Sequence, residues 1–138
     1  MHTEKIGEDM GMITGMRVLE VAADYTKCEY DFKDKGKILG IEFKAAGTSR
    51  AIINSEGVEY DDGEAVMFTE NGDYVSYHVI GMGYSTKKGY EGKVQLTLQF
   101  MTNSDSEELQ RLCKKPVLAE YEIDEEGHTT TTYYEWNF

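Results

Sequence analysis

Glu64-Ala-Val-Met-Phe-Thr69, the turn Glu70-Asn-Gly-Asp73, the run Tyr74 to Tyr84, a second turn through Lys87-Lys-Gly89 and the run Glu91 to Thr102 decide how this chain folds. In the last run Val94, Leu96, Leu98 and Phe100 alternate with Lys93, Gln95, Thr97 and Gln99, the period of two that a strand with one buried face requires. Asn71-Gly72 is the dipeptide of a tight hairpin turn, whose central residues need positive φ. The stretch therefore reads as three antiparallel strands joined by short turns.

The same pattern extends in both directions. Met1 to Gly11 is polar, rich in Met and aperiodic, so residues 1–12 read as a flexible arm outside a domain spanning 13–138. Ile13 to Val21 is a first strand, apolar on both faces. Tyr25 to Lys33 sets Cys28, Tyr30 and Phe32 against Lys27, Glu29 and Asp31. Asp34-Lys-Gly36 reads as a hairpin loop before Leu39, Ile41 and Phe43, and Gly47 as a bend before Thr48 to Asn54. Ser55-Glu-Gly57 and Asp61-Asp-Gly63 read as turns around a short extended piece. One helix is expected after Thr102: Ser104 precedes Glu107 at capping-box spacing, acids fill the first turn and bases the last, and Pro116 ends it. Leu109, Leu112 and Cys113 would face inward as a lid. Val117 to Asp124 and Thr129 to Phe138 are the last two strands.

Eight or nine strands with short loops make neighbours in sequence neighbours in space. A meander of that length removes its exposed edges by closing on itself. The fold expected is all-β, a single antiparallel up-and-down barrel of about eight strands with one short helix before the last two. A two-sheet sandwich is the alternative, and it would show longer crossing connections.

The bulk numbers narrow the function classes. The 138 residues suffice for one core, and 26 acidic against 14 basic side chains give a net charge of −12. Such a surface repels phosphate backbones and anionic lipid, so neither nucleic acid nor a membrane is expected as a partner. No stretch approaches the ~20 apolar residues of a membrane helix. Cys28 and Cys113 come without a secretory signal at Met1 to Asp9, which points to reduced thiols and a cytoplasmic location.

Gly15-Met-Arg-Val-Leu19, Gly57 through Asp73, Gly81-Met-Gly83 and Glu120-Tyr-Glu-Ile-Asp-Glu-Glu-Gly127 with Tyr134-Glu-Trp136 resemble a family of uncharacterised small archaeal and bacterial β-barrel proteins. That resemblance covers most of the chain from Ile13 on and implies no activity. In plan alone, the meander with a terminal helical piece is similar to the allene oxide cyclase and dirigent barrels and to lipocalin-like barrels. No catalytic motif of theirs is matched, and a fold does not carry a function.

Motifs for phosphate, zinc or dinucleotide binding are missing from the sequence, so no cofactor or metal is expected. Gly81-Met-Gly83 lies within a strand, where glycines mark close backbone approach or a kink. The acidic runs Asp61-Asp62 and Asp124-Glu-Glu126 lack the alternating oxygen ligands and central Gly of a calcium loop and read as solvated turns. His78, mid-strand, is either a general base or an imidazole satisfied by a neighbour. Arg50 either grips a ligand carboxylate inside the barrel or pairs with an acid at its rim. Tyr77 and Trp136 belong to an aromatic set that either lines a cavity or fills the barrel. The ligand-binding residues expected are thus Arg50, Tyr77, His78 and Trp136, around a small, partly apolar or anionic ligand.

Two further readings stand beside this one: a cofactor-independent isomerase or cyclase, and a structural subunit with a solid core. Tyr74 to Tyr84 is apolar on both faces, which points to a homo-oligomer that covers the outer one.

Overall fold

A computed structural model describes residues 2–137. Met1 of the expected arm and Phe138 of the expected last strand lie outside the described residues. Eight strands follow one another: β1 (His2–Val21), β2 (Tyr25–Ile38), β3 (Ile41–Asn54), β4 (Val58–Thr69), β5 (Tyr74–Ser85), β6 (Gly92–Thr102), β7 (Val117–Ile123) and β8 (His128–Asn137). Each pairs antiparallel with the next, and β8 returns to β1 from His2↔Asn137 to Met12↔His128, so the sheet is a closed barrel. Helix α1 (Glu107–Leu112) stands between β6 and β7. The expected all-β meander with one helix before the last two strands is the observed fold.

Three local readings change. Residues 2–12 are not an arm but the first half of β1, clamped between β2 and β8. Beyond Ile6, which packs on the core, its inward positions are Gly7, Asp9 and Gly11, so the alternation is there but invisible to a hydrophobic count. Asp34-Lys-Gly36 is not a turn, because β2 runs on to Ile38 and the chain reverses at Leu39-Gly40, both with positive φ. Asp61-Asp-Gly63 likewise lies inside β4.

Alternation along every strand sends one set of side chains inward. At the end where the β2–β3 and β4–β5 turns lie, Ile38, Phe43, Met67, Val75, Phe100 and Val117 fill the barrel, and α1 closes it by inserting Leu109 and Leu112. The helix begins at Ser106, whose Oγ accepts the Leu109 amide, two residues later than the capping box suggested. Arg111 anchors it to β8 with a bidentate pair to Glu135, at 2.8 and 2.6 Å. We call this the lower half.

The expected close backbone approach at Gly81 is observed: a Cβ there would lie 2.5 Å from the Leu96 side chain. The outer face of β5 is bare in the single chain. Ile80, Met82 and Tyr84 stand out from it, next to Tyr60 of β4 and Ile52 of β3.

Candidate functional site

The upper half of the barrel is built from the same alternation but from different residues. Tyr30, Phe32 and Asp34 of β2, Glu59 and Asp61 of β4, Tyr77 and Val79 of β5, Leu96 and Leu98 of β6, and Tyr121 of β7 enclose a cavity of about 70 Å³. That is room for roughly five or six waters, or a ligand of similar bulk. Over its mouth Tyr90, from the β5–β6 loop, packs edge-on against Tyr30 with ring centroids 5.9 Å apart. The Tyr90 amide donates to the Glu125 carbonyl of the β7–β8 turn, which holds the two loops together.

Two of the acids come from a reciprocal arrangement in β1 and β2. Asp9-Met-Gly11 and Asp34-Lys-Gly36 run antiparallel, so Asp9 stands opposite Gly36 and Gly11 opposite Asp34. Each carboxyl leans over a glycine: a Cβ on Gly36 would lie 2.5 Å from that of Asp9, and one on Gly11 would overlap the Asp34 carboxyl. Glycine is required at both places because the space is already taken. The other two acids, Glu59 and Asp61, are successive inward positions of β4.

Among the described residues, no Lys, Arg or His lines the cavity. Asp9, only 2% exposed, accepts the Tyr133 hydroxyl on Oδ2, while its Oδ1 has no hydrogen-bond partner among the described residues. Asp34 receives the Thr129 hydroxyl at 3.4 Å. Asp61 shares a hydrogen bond with Glu59, and its Oδ2 is likewise unpartnered.

Desolvation disfavours the charged form of a carboxyl, and a neighbouring negative charge does the same. Burial pushes Asp9 up to about 6 against the hydrogen bonds it accepts. Burial and then the Asp9 charge push Asp34 up to about 8. Burial, then Glu59, push Asp61 up to about 9. At neutral pH Asp34 and Asp61 therefore carry protons and can donate hydrogen bonds into the cavity. Tyr121 is raised by burial and then by the charges of Asp34, Asp61 and Asp9, which places its phenol within reach of all three fields.

The residues expected from the sequence are distributed differently. Tyr77 lines the cavity and packs on Phe100 with centroids 5.0 Å apart. Arg50 and His78 stand on the outer wall, where both meet Glu64: Arg50 Nη2 at 3.1 Å and His78 Nδ1 at 3.5 Å. Arg50 takes the rim pairing, and the two residues are brought together, but outside the barrel. Trp136 is half-buried near the end of β8, opposite Thr3, and is not part of the cavity lining. The four interior carboxyls were missed. Carrying the Cys28, Tyr30, Phe32 parity two steps further would have found Asp34.

Among the described residues one group has ligand atoms close enough to share a metal: Asp124, Glu126 and His128, on the surface of the β7–β8 turn. Its geometry is that of a turn, for Asp124 Oδ1 accepts the amides of Glu126 and His128 at 3.0 and 2.9 Å.

No protein family and no curated protein matches the sequence. Solved structures do match its shape. A conserved protein of unknown function from Rhodopseudomonas palustris superposes with a TM-score of 0.82 at 12% identity, over 96% of this chain and 95% of that one. A beta-barrel like protein from Acinetobacter baumannii gives 0.79 at 13%, over 96% and 94%. An enzyme from Penicillium herquei gives 0.68 at 12%, over 97% and 94%. What these neighbours share with the chain is the barrel. No helix among the described residues is long and apolar enough to cross a membrane.

Proposed function

We propose that this protein binds a small, partly apolar molecule inside the upper half of its barrel. The observation that carries the reading is a cavity inside the barrel whose polar lining is carboxyl, phenol and hydroxyl groups, with one oxygen of the lining acid Asp61 left without a partner among the described residues. A barrel that served only as a structural block would fill this space with apolar side chains, as the lower half does, since each buried unsatisfied polar atom costs about 1–3 kcal/mol. The apolar part of a ligand meets Phe32, Val79, Leu96 and Leu98. Its polar part meets Asp34, Asp61, Glu59 and the Tyr121 phenol. An anionic ligand, the class that an inward Arg50 would have favoured, finds no cation in this lining.

Native mass spectrometry of protein purified gently from its own cells tests the proposal. Added mass that is lost on denaturation supports it, and a Leu98→Trp variant that fills the cavity should lose that mass. A clean subunit mass, with no small molecule protecting interior amides from exchange, refutes it.

A second reading, a cofactor-independent isomerase or cyclase, is favoured by one observation. Two carboxyls, Asp34 and Asp61, sit beside an apolar wall, where burial raises both toward the protonated state that a general acid needs at neutral pH. The likeness to a fungal enzyme is compatible with it but rests on fold alone. Turnover of a bound molecule that stops in Asp61→Asn would establish catalysis.

For the bare outer face of β5, we propose a second copy of the chain as the cover. The exposed row of Ile52, Tyr60, Ile80, Met82 and Tyr84 supports this, because soluble single chains seldom leave such a contiguous apolar patch to water. Light scattering at micromolar concentration should give a multiple of 15.7 kDa, and a monomer mass overturns it.

A further inference from the structure

We infer that the ligand of the upper cavity is a compact organic cation, an ammonium on a small cyclic or branched hydrocarbon, seated with its charge among Asp34, Asp61 and Tyr121. The inference deepens the binding proposal above and rests on it. Three carboxyls, Asp34, Glu59 and Asp61, line this space, a fourth, Asp9, is buried nearby, and no basic side chain among the described residues lines it with them. A buried carboxylate needs a partner charge or a proton, since an isolated one costs far more than folding can spare. The protein supplies neither Lys nor Arg, so the positive charge arrives with the ligand or as protons.

The fully buried Asp9 is a second, separate sign. Its Oδ2 is satisfied by Tyr133 while Oδ1 has no hydrogen-bond partner among the described residues, and its charge acts on Asp34. Asp9 beside Asp34, and Glu59 beside Asp61, thus each add to the negative field that meets a cation entering the cavity. Tyr30 and Tyr121 turn phenol rings toward the same space, and ring faces attract an ammonium at about 0.5–2 kcal/mol each. A metal ion fits less well, because the interior acids do not converge as a ligand group; the one convergent group is the surface turn at Asp124. Size sets the rest: about 70 Å³, the room of five or six waters, with an apolar wall suits a molecule of about five heavy atoms, not a polyamine chain or a nucleoside.

Binding such a cation exchanges charge for charge. The ammonium enters, and the proton held by Asp34 or Asp61 leaves to solvent, so no net charge is buried. The groups facing that exchange are Asp9 and Tyr133 behind Asp34, Thr129 beside it, Glu59 beside Asp61, and Tyr30 and Tyr121 across the cavity.

Three matched probes test this at pH 7.5: isobutylamine, isobutanol and isobutyrate, followed by calorimetry and by the methyl signals of Val79 and Leu98. The amine is expected to bind about tenfold or more tightly than the alcohol, with proton release read from the dependence of the heat on buffer. Asp61→Asn and Asp34→Asn should each lose about tenfold in amine affinity and leave the alcohol unchanged, their fold being checked by unchanged methyl spectra elsewhere. An alcohol or carboxylate that binds as tightly as the amine overturns the cation inference and leaves the binding proposal standing. If none of the three moves the Val79 and Leu98 signals, both fall.

Discussion

The two halves of the barrel are made by one rule and do opposite things. In both, every second residue points inward. Below, those residues are Ile38, Phe43, Met67, Val75, Phe100 and Val117, sealed by Leu109 and Leu112, and they pack to a solid. Above, the inward residues include Asp34, Glu59 and Asp61 around a space that no side chain fills. Burial of apolar surface contributes stability below, while burial of carboxyls costs it above. The difference teaches that the lower half holds the fold and allows the upper half to be poor at folding.

Equal truncations should expose the asymmetry most strongly. Leu109→Ala or Met67→Ala removes packed methylenes and is expected to cost about 2–5 kcal/mol in denaturant unfolding. Leu96→Ala, beside a space already open, should cost about half of that or less. Equal losses at both ends would erase the distinction between a core and a chamber.

The next effect is on pH. The folded-state values of Asp9, Asp34 and Asp61 lie above their unfolded value of 3.8, so the folded state binds more protons between about pH 4 and 9. Their contribution is therefore complete below pH 4 and is lost as pH rises toward 6, 8 and 9 in turn. Melting temperature should fall by several degrees from pH 5 to pH 9. Asp34→Asn should flatten that slope and raise stability at pH 8, an unusual result for the removal of a buried polar group. A melting temperature that rises over this range would contradict the chamber's chemistry.

Smaller still is the tie between helix and barrel. Arg111 holds Glu135 below its usual range through hydrogen bonds and charge, so this contribution is present above about pH 4.5 and disappears as pH falls. The Arg111 side chain is 47% exposed, and solvent screening limits the expected loss in Arg111→Ala to about 1 kcal/mol, measurable at pH 7 and shrinking as the pH is taken below the usual carboxylate range. On the outer wall, Ile80→Ser should change the stability of one chain by less than about 0.5 kcal/mol while shifting the mass seen by light scattering toward monomer.

The fold was legible because period-two alternation survives wherever the inward residue is apolar, as from Val94 to Phe100, and because Asn71-Gly72 names its turn. The site was not, for a physical reason. An inward acid breaks the hydrophobic pattern, and a glycine two residues after it imitates a loop, so Asp34-Lys-Gly36 and Asp61-Asp-Gly63 read as turns. At Asp9 the same masking made a strand look like an arm. Arg50 and His78 drew attention as polar residues in apolar runs, but parity places them with Glu64 outside, where water supports a charge. In a closed barrel, which face a polar residue takes is decided by counting from a secure apolar neighbour, not by its chemistry.

The most direct measurement is a pH titration of the carboxyl carbons of Asp34 and Asp61 by nuclear magnetic resonance in the ligand-free protein. Both should remain protonated at pH 7 and titrate near 8 and 9, with Asp9 near 6. Titration of all three near 4 would show carboxylates already compensated by solvent or by the protein, and the account of an acid-lined chamber waiting for a cation would be wrong.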